Sequence, residues 1–408
     1  MALAASQSTI AVEPQKGSYF FPLILVTSLF FLWGLAYGLL DVLNKHFQEL
    51  LNITKTRSTL LQAAYFGAYF LIALPAGLFM NKYGYKKGII TGLLLYTTGA
   101  LLFFPAAQYE SYNFFLLSLF ILASGLAFLE TAANPYITVL GKPETSAFRL
   151  NLAQSFNGVG SFVGPIIGAN LFFVTGGEGN LNTVKYVYLV IAAIVFLVAL
   201  MFIKTRLPEI KEAELVEVKQ QDIKPLFKHK NFTGAIIAQF FYVAAQVGIA
   251  AFFINYCTEA SGSITSATAS YFLSISLVLF TAGRFVGTAL MKKIAPNKLL
   301  TLYSVINIIL CAVVVNGKGM ISVYSLMAVF FFESIMFPTI FALGVKNLGH
   351  NTKRGASFII MSIAGGAFMP YVMGMLSEKS TAQSYSIPLV CFAVVAWYGW
   401  KGYKTSTD

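Results

Sequence analysis

The sequence predicts an all-α membrane protein with twelve transmembrane helices arranged as two six-helix halves. Three observations lead to this prediction. Hydrophobic residues make up 57% of the 408 residues and charged residues only 11%, whereas about a quarter of a soluble domain is charged. Apolar segments of about 20 residues recur along the whole chain. Finally, several motifs of the first half of the chain return in the second half at an almost constant offset.

Each apolar segment is long enough to cross a hydrocarbon core about 30 Å thick as a helix. Continuous apolar runs such as YLVIAAIVFLVAL at 188–200 lack the alternation of barrel strands, so helices must satisfy the backbone in lipid. The predicted helices one to twelve cover 20–43, 58–80, 88–106, 112–138, 148–174, 185–204, 232–258, 266–290, 298–316, 319–346, 353–376 and 384–401.

The net charge of +12 is distributed unevenly between the two sides of this arrangement. The side of the N-terminus and the even-numbered loops holds 21 of the lysines and arginines, and the other side holds six. Positive residues concentrate on the cytoplasmic side of membrane proteins. We therefore expect both termini in the cytoplasm of a multi-pass protein of the cytoplasmic (inner) membrane, and we expect the charge to reflect the lipid bilayer and no nucleic acid partner.

The longest polar stretch predicts how the chain is divided. It covers 205–230 and is expected to be a cytoplasmic linker. On this basis we expect a cytoplasmic tail at 1–19, a six-helix half at 20–204, the linker, a second six-helix half at 231–401 and a tail at 402–408.

The two halves share motifs. The segment GLFMNKYGYKK at Gly77 corresponds to GTALMKKIAPNK at Gly287, an offset of 210. A Glu-x4-Pro-x4-Leu-Gly pattern at Glu130 returns at Glu333 (offset 203), and a Gly-x4-Pro pattern at Gly160 returns at Gly365 (offset 205). Parallel repeats of this kind are typical of the two halves of major facilitator transporters.

Three acidic residues, Asp41, Glu130 and Glu333, are predicted to lie within helices, and the other thirteen acids fall in loops or tails. A charged carboxylate near the bilayer centre costs about 3 kcal/mol or more, so such residues normally face a protein interior or a water-filled cavity. Taking up a proton removes much of that cost. An acid of this kind is suited to loading a proton from one side and releasing it to the other.

Uncharged polar residues accompany these acids on helix faces. Helical spacing groups Gln154 with Asn157, and Gln239 with Tyr242 and Gln246, while Asn134 lies one turn from Glu130. Interhelical hydrogen bonding is one interpretation. The other is a cavity of amides, carboxylates and aromatic rings such as Tyr37, which suits a neutral polyhydroxylated ligand.

Five segments together resemble the L-fucose/proton symporter family of the major facilitator superfamily. They are FFLWGLAYGLLDVLNKHF, GLAFLETAANPYITVLG, FRLNLAQSFNGVGSFVGPIIG, AQFFYVAAQ and FPTIFALGVKNLG. The resemblance implies the major facilitator fold and proton-coupled sugar transport. It further implies that Asp41 carries the coupled proton, that Glu130 binds sugar and participates in coupling, and that Gln154 and Asn157 belong to the sugar site.

The sequence also departs from that family at the expected site. Tyr37 and Gly38 stand where the fucose transporter has an asparagine pair, and Glu333 stands where it has an apolar residue. The three roles open to Glu333 are binding of an extra sugar hydroxyl, transfer of a proton, and a hydrogen bond from helix ten to a neighbour. The resemblance therefore implies fucose or a related hexose.

We expect a monomeric transporter that imports a monosaccharide with protons by alternating access and needs no cofactor. Sodium-coupled transport or uniport is an alternative, and a nontransporting sugar sensor is a further one. An enzyme is disfavoured because no predicted helix carries paired histidines and acids at metal-ligand spacing and no phosphate-binding loop is present. Of these residues, Asp41 and Glu130 are predicted for proton coupling; the predicted sugar site comprises Glu130, Asn134, Gln154, Asn157, Gln239, Tyr242, Gln246, Glu333 and Tyr37.

Overall fold

The computed structural model describes residues 20–139, 146–174, 181–205, 227, 229–291, 293–317, 319–346, 348 and 352–404. Every regular element in these ranges is helical. The predicted tail at 1–19 lies outside them, as do most of the predicted linker at 205–230 and the last four residues. The predicted boundaries of the tails, halves and linker therefore stay predictions.

The described residues of the first half form seven α-helices, of which α2 is a single turn. They are α1 (Phe20–Leu50), α2 (Lys55–Ser58), α3 (Leu60–Tyr83), α4 (Tyr85–Gln108), α5 (Tyr112–Val139), α6 (Ser146–Gly168) and α7 (Leu181–Lys204), with a π-helical segment at Ala169–Val174 after α6. The apolar pattern continues through almost every residue of these helices, as expected for elements surrounded by lipid or by one another.

In the second half, the part of the chain that the structure describes forms ten α-helices, and some neighbouring helices are two pieces of the same membrane span. They are α8 (Lys230–Ala251), α9 (Phe253–Ala260), α10 (Ser266–Leu290), α11 (Pro296–Asn316), α12 (Met320–Glu333), α13 (Met336–Val345), α14 (Thr352–Met361), α15 (Gly365–Ser377), α16 (Thr381–Ser384) and α17 (Ser386–Trp397). A 3₁₀ turn at Ser362–Ala364 joins α14 to α15, and a π-helical segment at Tyr398–Gly402 continues α17.

Eleven helices of the described residues are long and apolar enough to cross a membrane. The predicted twelfth helix, 384–401, corresponds to α17 together with its π-helical continuation. Large apolar side chains such as Leu74, Leu197 and Ile321 are exposed on the outer surface of the bundle. In a membrane protein that surface contacts lipid, so the exposed apolar residues agree with the predicted class.

Two features of the helices differ from the sequence-based prediction. Helix one does not end at residue 43 but continues to Leu50, and it therefore includes Glu49. A separate helix, α9, includes Glu259. The prediction that only three acids lie in helices is wrong for these two, both of which are exposed near helix ends. A helix end can extend beyond the membrane core, where a charged side chain remains hydrated.

Close packing between helices positions the interior. A Cβ atom at Gly34 on α1 would overlap the backbone carbonyl of Asn157 on α6, and one at Gly365 on α15 would overlap the carbonyl of Phe240 on α8. Small residues at such crossings allow two backbones to approach within van der Waals contact. The pairs α1·α6 and α8·α15 occupy related positions in the two halves, and each brings polar side chains to the centre of the bundle.

Candidate functional site

The α1 helix supplies the first of the buried acids. The Asp41 side chain is 5% exposed, and its Oδ1 accepts a hydrogen bond of 3.4 Å from Nε2 of Gln62 on α3. Asp41 also interacts electrostatically with the phenol groups of Tyr37 and Tyr65. The carboxylate thus faces the interior between α1 and α3, in polar surroundings and away from the lipid-facing surface.

Glu130 on α5 borders a small cavity in the first half. The other residues around this cavity are Leu29, Phe30, Trp33, Leu129 and Ala133. Glu130 interacts electrostatically with Tyr65 and Tyr69 of α3. Tyr65 of α3 therefore interacts electrostatically with both acids of the first half, Asp41 and Glu130.

The second half contributes a cluster of buried polar groups without hydrogen-bond partners. Both amide atoms of Gln239, the hydroxyl of Tyr242 and both carboxylate oxygens of Glu333 make no hydrogen bond, and all three side chains are 0% exposed. Leaving one buried polar group unsatisfied costs about 1–3 kcal/mol, and a charged group costs more. Such a cluster is expected where a ligand supplies the missing partners during part of a working cycle.

A break in the membrane span carries Glu333. It is the last residue of α12, and α13 starts only at Met336. The carbonyl of Ser334 in this break accepts a hydrogen bond of 3.3 Å from Nε of Arg284 on α10. Ser334 and Ile335 keep right-handed helical backbone angles, so the interruption is a local turn within the span. The predicted span at 319–346 is confirmed as one apolar span, Met320–Val345, with a local interruption of the helix directly after the acid.

Tyr37 links the polar groups of the two halves. It lies on α1 one turn before Asp41 and interacts electrostatically with Asp41, Glu333 and Tyr242. The Tyr242 ring in turn packs edge-on against Phe337 of α13, with ring centroids 6.3 Å apart. Side chains from α1, α8, α12 and α13 therefore meet in one central region. The sequence predicted these residues separately, and the fold brings them together.

The remaining predicted residues are placed less fully. Asn157 on α6 is half-buried and its Nδ2 donates to the Phe30 carbonyl at 3.1 Å, as the interhelical interpretation expects. Gln154 on α6 and Gln246 on α8 are half-buried. Asn134 lies in α5 one turn from Glu130, and the described part of the structure does not include its side chain.

Sequence reasoning missed a group of amides next to Asp41. On α1, Asn44 lies three residues after Asp41 and Gln48 lies four residues after Asn44, so the three share one face. Asn255 of α9, in the second half, contacts Gln48. The spacing on α1 was a signal that could have found two of them. Arg284 of α10, which donates to the Ser334 carbonyl at the end of α12, also lies over the Phe280 ring, 4.9 Å from its centroid, and interacts electrostatically with Tyr242.

Hydrogen bonds between the two halves cluster near α2, in a region that we call the α2 end of the bundle. Nζ of Lys55 lies 2.6 Å from a Glu259 carboxylate oxygen and 2.8 Å from Oγ1 of Thr381. The Glu378 carboxylate accepts from the backbone N–H and the hydroxyl of Thr56, at 2.8 and 2.9 Å. Burial raises the pKa of Glu378, but these hydrogen bonds lower it, and the net pKa lies below its usual value. These contacts close the α2 end.

Two helical halves around a buried polar centre, closed at one end by contacts between them, define a membrane transporter. The chain belongs to the Major Facilitator Superfamily, whose sequence profile matches residues 24–370. Within that superfamily it is similar to the L-fucose-proton symporter of Escherichia coli (strain K12), with 39% identity over 420 residues, 96% of this chain and 95% of the relative. The predicted family is therefore confirmed.

Other relatives share the fold and the extent of the match. The Glucose/galactose transporter of Brucella abortus biovar 1 (strain 9-941) is 36% identical over 400 residues, 95% of each chain. The crystal structure of the E. coli fucose:proton symporter superposes with a TM-score of 0.69 at 37% identity, covering 95% of this chain and 99% of that one. These matches span both halves, and the predicted major facilitator fold is confirmed.

Proposed function

We propose that this chain is a proton-coupled sugar symporter that imports a neutral monosaccharide across the cytoplasmic membrane by alternating access. The observation that carries the proposal is the central meeting of Asp41, Tyr37 and Glu333, in which acids of both halves face the interior. The similarity to an L-fucose-proton symporter and to glucose/galactose transporters supports a sugar as the substrate. Their lengths match this chain almost completely, which supports the same activity for the whole protein.

The sugar site in this proposal lies between the halves. The unpartnered Oε1 of Gln239 and both oxygens of Glu333 supply acceptors, and Nε2 of Gln239 and the Tyr242 hydroxyl supply donors, for vicinal sugar hydroxyls, which explains why a membrane interior retains them. Rings of Tyr37, Tyr242 and Phe337 cover the apolar face of the pyranose. The remaining groups assigned to the site are Glu130, Asn134, Gln154, Asn157 and Gln246.

Asp41, together with Glu130, carries the coupled proton. Protonation neutralises the empty centre and allows sugar to enter, and loss of the proton on the other side favours sugar release. A membrane potential of about 150 mV contributes about 3.5 kcal/mol per proton. Since about 1.4 kcal/mol corresponds to a tenfold ratio, one proton sustains a gradient of several hundred-fold.

The charge asymmetry of the loops supports an orientation of the protein in the membrane. The α2 end carries few basic residues outside the cross-half contacts, so we assign it to the outside and both termini to the cytoplasm. In this assignment the structure has its outer side closed by Lys55, Thr56 and their partners. Import then requires these contacts to open and the two halves to rock about the central site.

The substrate class within the sugars follows from the two departures at the site. Glu333 adds two acceptor oxygens, and Tyr37 replaces a small amide by a large ring, so both the hydrogen bonding and the shape of the pocket differ from the fucose transporter. A hexose or 6-deoxyhexose fits this polar, uncharged requirement. We assign a monomer as the transporting unit, because each chain contains both halves of the site.

The test uses proteoliposomes containing the purified protein. Addition of a transported sugar should alkalinise the outer medium, with equal rates when sodium is replaced by choline. Sodium-dependent uptake without alkalinisation would establish the alternative coupling, and binding without uptake would establish a sensor. Competition of radiolabelled uptake by L-fucose, D-glucose, D-galactose and D-xylose identifies the substrate, and inhibition by none of them would overturn the sugar assignment.

A further inference from the structure

A line of side-chain amides connects Asp41 to the α2 end. Nε2 of Gln62 donates to Asp41 at 3.4 Å, and Nδ2 of Asn44 donates to Oε1 of Gln62 at 3.2 Å. Nε2 of Gln48 donates to Oδ1 of Asn44 at 2.9 Å, and Nδ2 of Asn255 donates to Oε1 of Gln48 at 2.6 Å. Each amide in this line donates through its nitrogen toward Asp41, and Gln62, Asn44 and Gln48 also accept through their oxygens from the next amide.

The direction of the line is fixed by two neighbours. Nδ2 of Asn44 also lies 3.4 Å from the backbone carbonyl of Ala251, which can only accept. The Ser58 hydroxyl donates to the Lys55 carbonyl at 2.7 Å, so it accepts from Nε2 of Gln48 at 2.9 Å. Reversing any one amide would bring two acceptors or two donors together. The alignment of the four amides is therefore the one arrangement that satisfies both neighbours.

The line crosses between the halves. Asp41, Asn44 and Gln48 lie on α1 and Gln62 on α3, whereas Ala251 and Asn255 belong to α8 and α9. Asn44, Gln62 and Asn255 are fully buried by this contact. When the α2 end opens, Asn255 and Ala251 must withdraw from α1. The line then loses its last donor and one of the neighbours that fix its direction.

We propose that closure of the α2 end promotes proton release from Asp41 through this amide line, with Asn255 as the positioning residue that completes it. The inference rests on the proposed function, in which Asp41 carries the coupled proton. Hydrogen bonds to a carboxylate stabilise its ionised form, and aligned hydrogen bonds polarise one another. Closure on the outside is thereby linked to deprotonation toward the inside, and the linkage is reciprocal.

Other titratable groups surround Asp41 on several elements. The groups that interact with it are Tyr37 of α1 and Tyr65 of α3. Glu333 of α12 and Tyr242 of α8 interact with Tyr37, and Glu130 of α5 interacts with Tyr65. His46 of α1 stacks on Phe172, which follows α6, with ring centroids 5.1 Å apart. Of the side chains that interact directly with Asp41, Gln62 is the amide donor. The amides behind Gln62 stay connected to Asn255 only while the α2 end is closed.

The experiment compares Asn255→Ala with the unchanged protein in proteoliposomes. Net sugar uptake is measured at fixed external pH while the internal pH is varied, and sugar counterflow, which needs no net proton release, is measured in parallel. We expect the internal pH for half-maximal uptake to rise by about 0.5 to 1 unit, the effect of one hydrogen bond. Counterflow should stay within about twofold of the unchanged protein, since the sugar site is intact.

The matched control is Asn316→Ala. Asn316 is an exposed amide whose Nδ2 bonds only to the Ala312 carbonyl of its own helix, at 3.0 Å. This variant should leave the pH profile unchanged. A second measurement does not depend on transport: infrared titration of the Asp41 carboxyl band, identified by its loss in Asp41→Asn. The half-titration pH of that band should rise in Asn255→Ala by the same amount.

An unshifted infrared titration in Asn255→Ala would overturn the inference, whatever its transport rate. An equal shift in Asn316→Ala would do so as well, because it would show that any lost amide has this effect. The proposed function fails separately: if Asp41→Asn still accumulates sugar against a gradient, Asp41 is not the coupling group. If Asp41→Asn loses accumulation while Asn255→Ala titrates normally, only the amide line is wrong.

Discussion

The two halves of the molecule hold their buried acids differently. Asp41 in the first half has a hydrogen-bond donor, Gln62, and behind it a line of amides. Glu333 in the second half is more deeply buried, and neither of its carboxylate oxygens has a hydrogen bond. The sequence repeat relates Glu333 to Glu130, whereas the tertiary structure brings Glu333 close to Tyr37, the neighbour of Asp41.

The difference separates two reasons for burying an acid in a membrane protein. A donor beside a carboxylate stabilises the ionised form, as a group that repeatedly loses a proton requires. An acid without hydrogen-bond partners destabilises the protein when no ligand is bound, so binding of a ligand is the simplest reason for retaining it. We therefore assign proton transfer to Asp41 and ligand binding to Glu333, and each assignment makes a different prediction.

The largest expected effect is on uphill sugar accumulation, which should be lost when Asp41 is changed and kept when Glu333 is changed. Asp41→Asn should reduce the sugar accumulation ratio to about one while counterflow persists, because the amide keeps its polarity but cannot release a proton. Glu333→Gln should retain accumulation with a weaker apparent affinity. Radiolabelled uptake and counterflow in the same proteoliposomes measure both quantities. Loss of accumulation in both variants would mean that both acids carry protons and would break the comparison.

A second prediction concerns stability and affinity together. Glu333→Leu removes an unpartnered acid from an apolar position, so the free energy of unfolding should rise by about 1–3 kcal/mol while the sugar dissociation constant rises about 10- to 100-fold. The matched variant Asp41→Leu leaves Nε2 of Gln62 without its acceptor and should lower stability by a similar amount. Thermal unfolding in detergent and calorimetric titration test the pair. A stability loss in Glu333→Leu would indicate permanent partners for this acid.

The smallest expected effect comes from a substitution that favours opening of the α2 end. Opening would disturb the surroundings of Asp41 and leave those of Glu333 intact. Lys55→Met removes the bonds to Glu259 and Thr381. The Lys55 and Glu259 side chains are 22% and 44% exposed, so water weakens this ion pair. We therefore expect the closed form to lose only about 1 kcal/mol of stability, which is about a fivefold shift toward the open form. Spin labels on the exposed positions Arg57→Cys and Gln383→Cys report the distance across this end.

The control for this prediction is Lys45→Met. Lys45 pairs at 3.4 Å with Glu49 on its own helix, so its loss should leave the distance distribution unchanged. Equal shifts in the two lysine variants would show that net charge, and not the contact between halves, holds the α2 end closed.

Much of the fold was predictable because the membrane imposes simple rules on sequence. Hydrophobic length predicted the spans, loop charge predicted a topology, and the repeat predicted two related halves. The helix ends were predicted less well. The extension of α1 to Leu50 and the break after Glu333 are set by contacts at the α2 end and by packing against α10, which hydropathy does not record.

The candidate site was predictable as a set of residue types but not as an arrangement. A buried acid is conspicuous in an apolar sequence, so Asp41, Glu130 and Glu333 could be found without the fold. The amides were harder to select, because an amide in a membrane helix serves equally well between helices and toward a ligand. Asn157 and Gln239 look alike in sequence, yet the first donates to Phe30 and the second has no partner.

The sequence by itself determined that this chain spans a membrane as two repeats of helices and that three acids lie inside it, because burial in lipid penalises every charge that has no task. Tertiary structure alone decided which acid has a donor and which has none, since the Asp41–Gln62 bond forms only when α1 packs against α3, and the Gln48–Asn255 bond forms only when the two halves pack together. Partners on different helices, 21 residues apart for Asp41 and Gln62 and 207 apart for Gln48 and Asn255, leave no periodic signal in the chain.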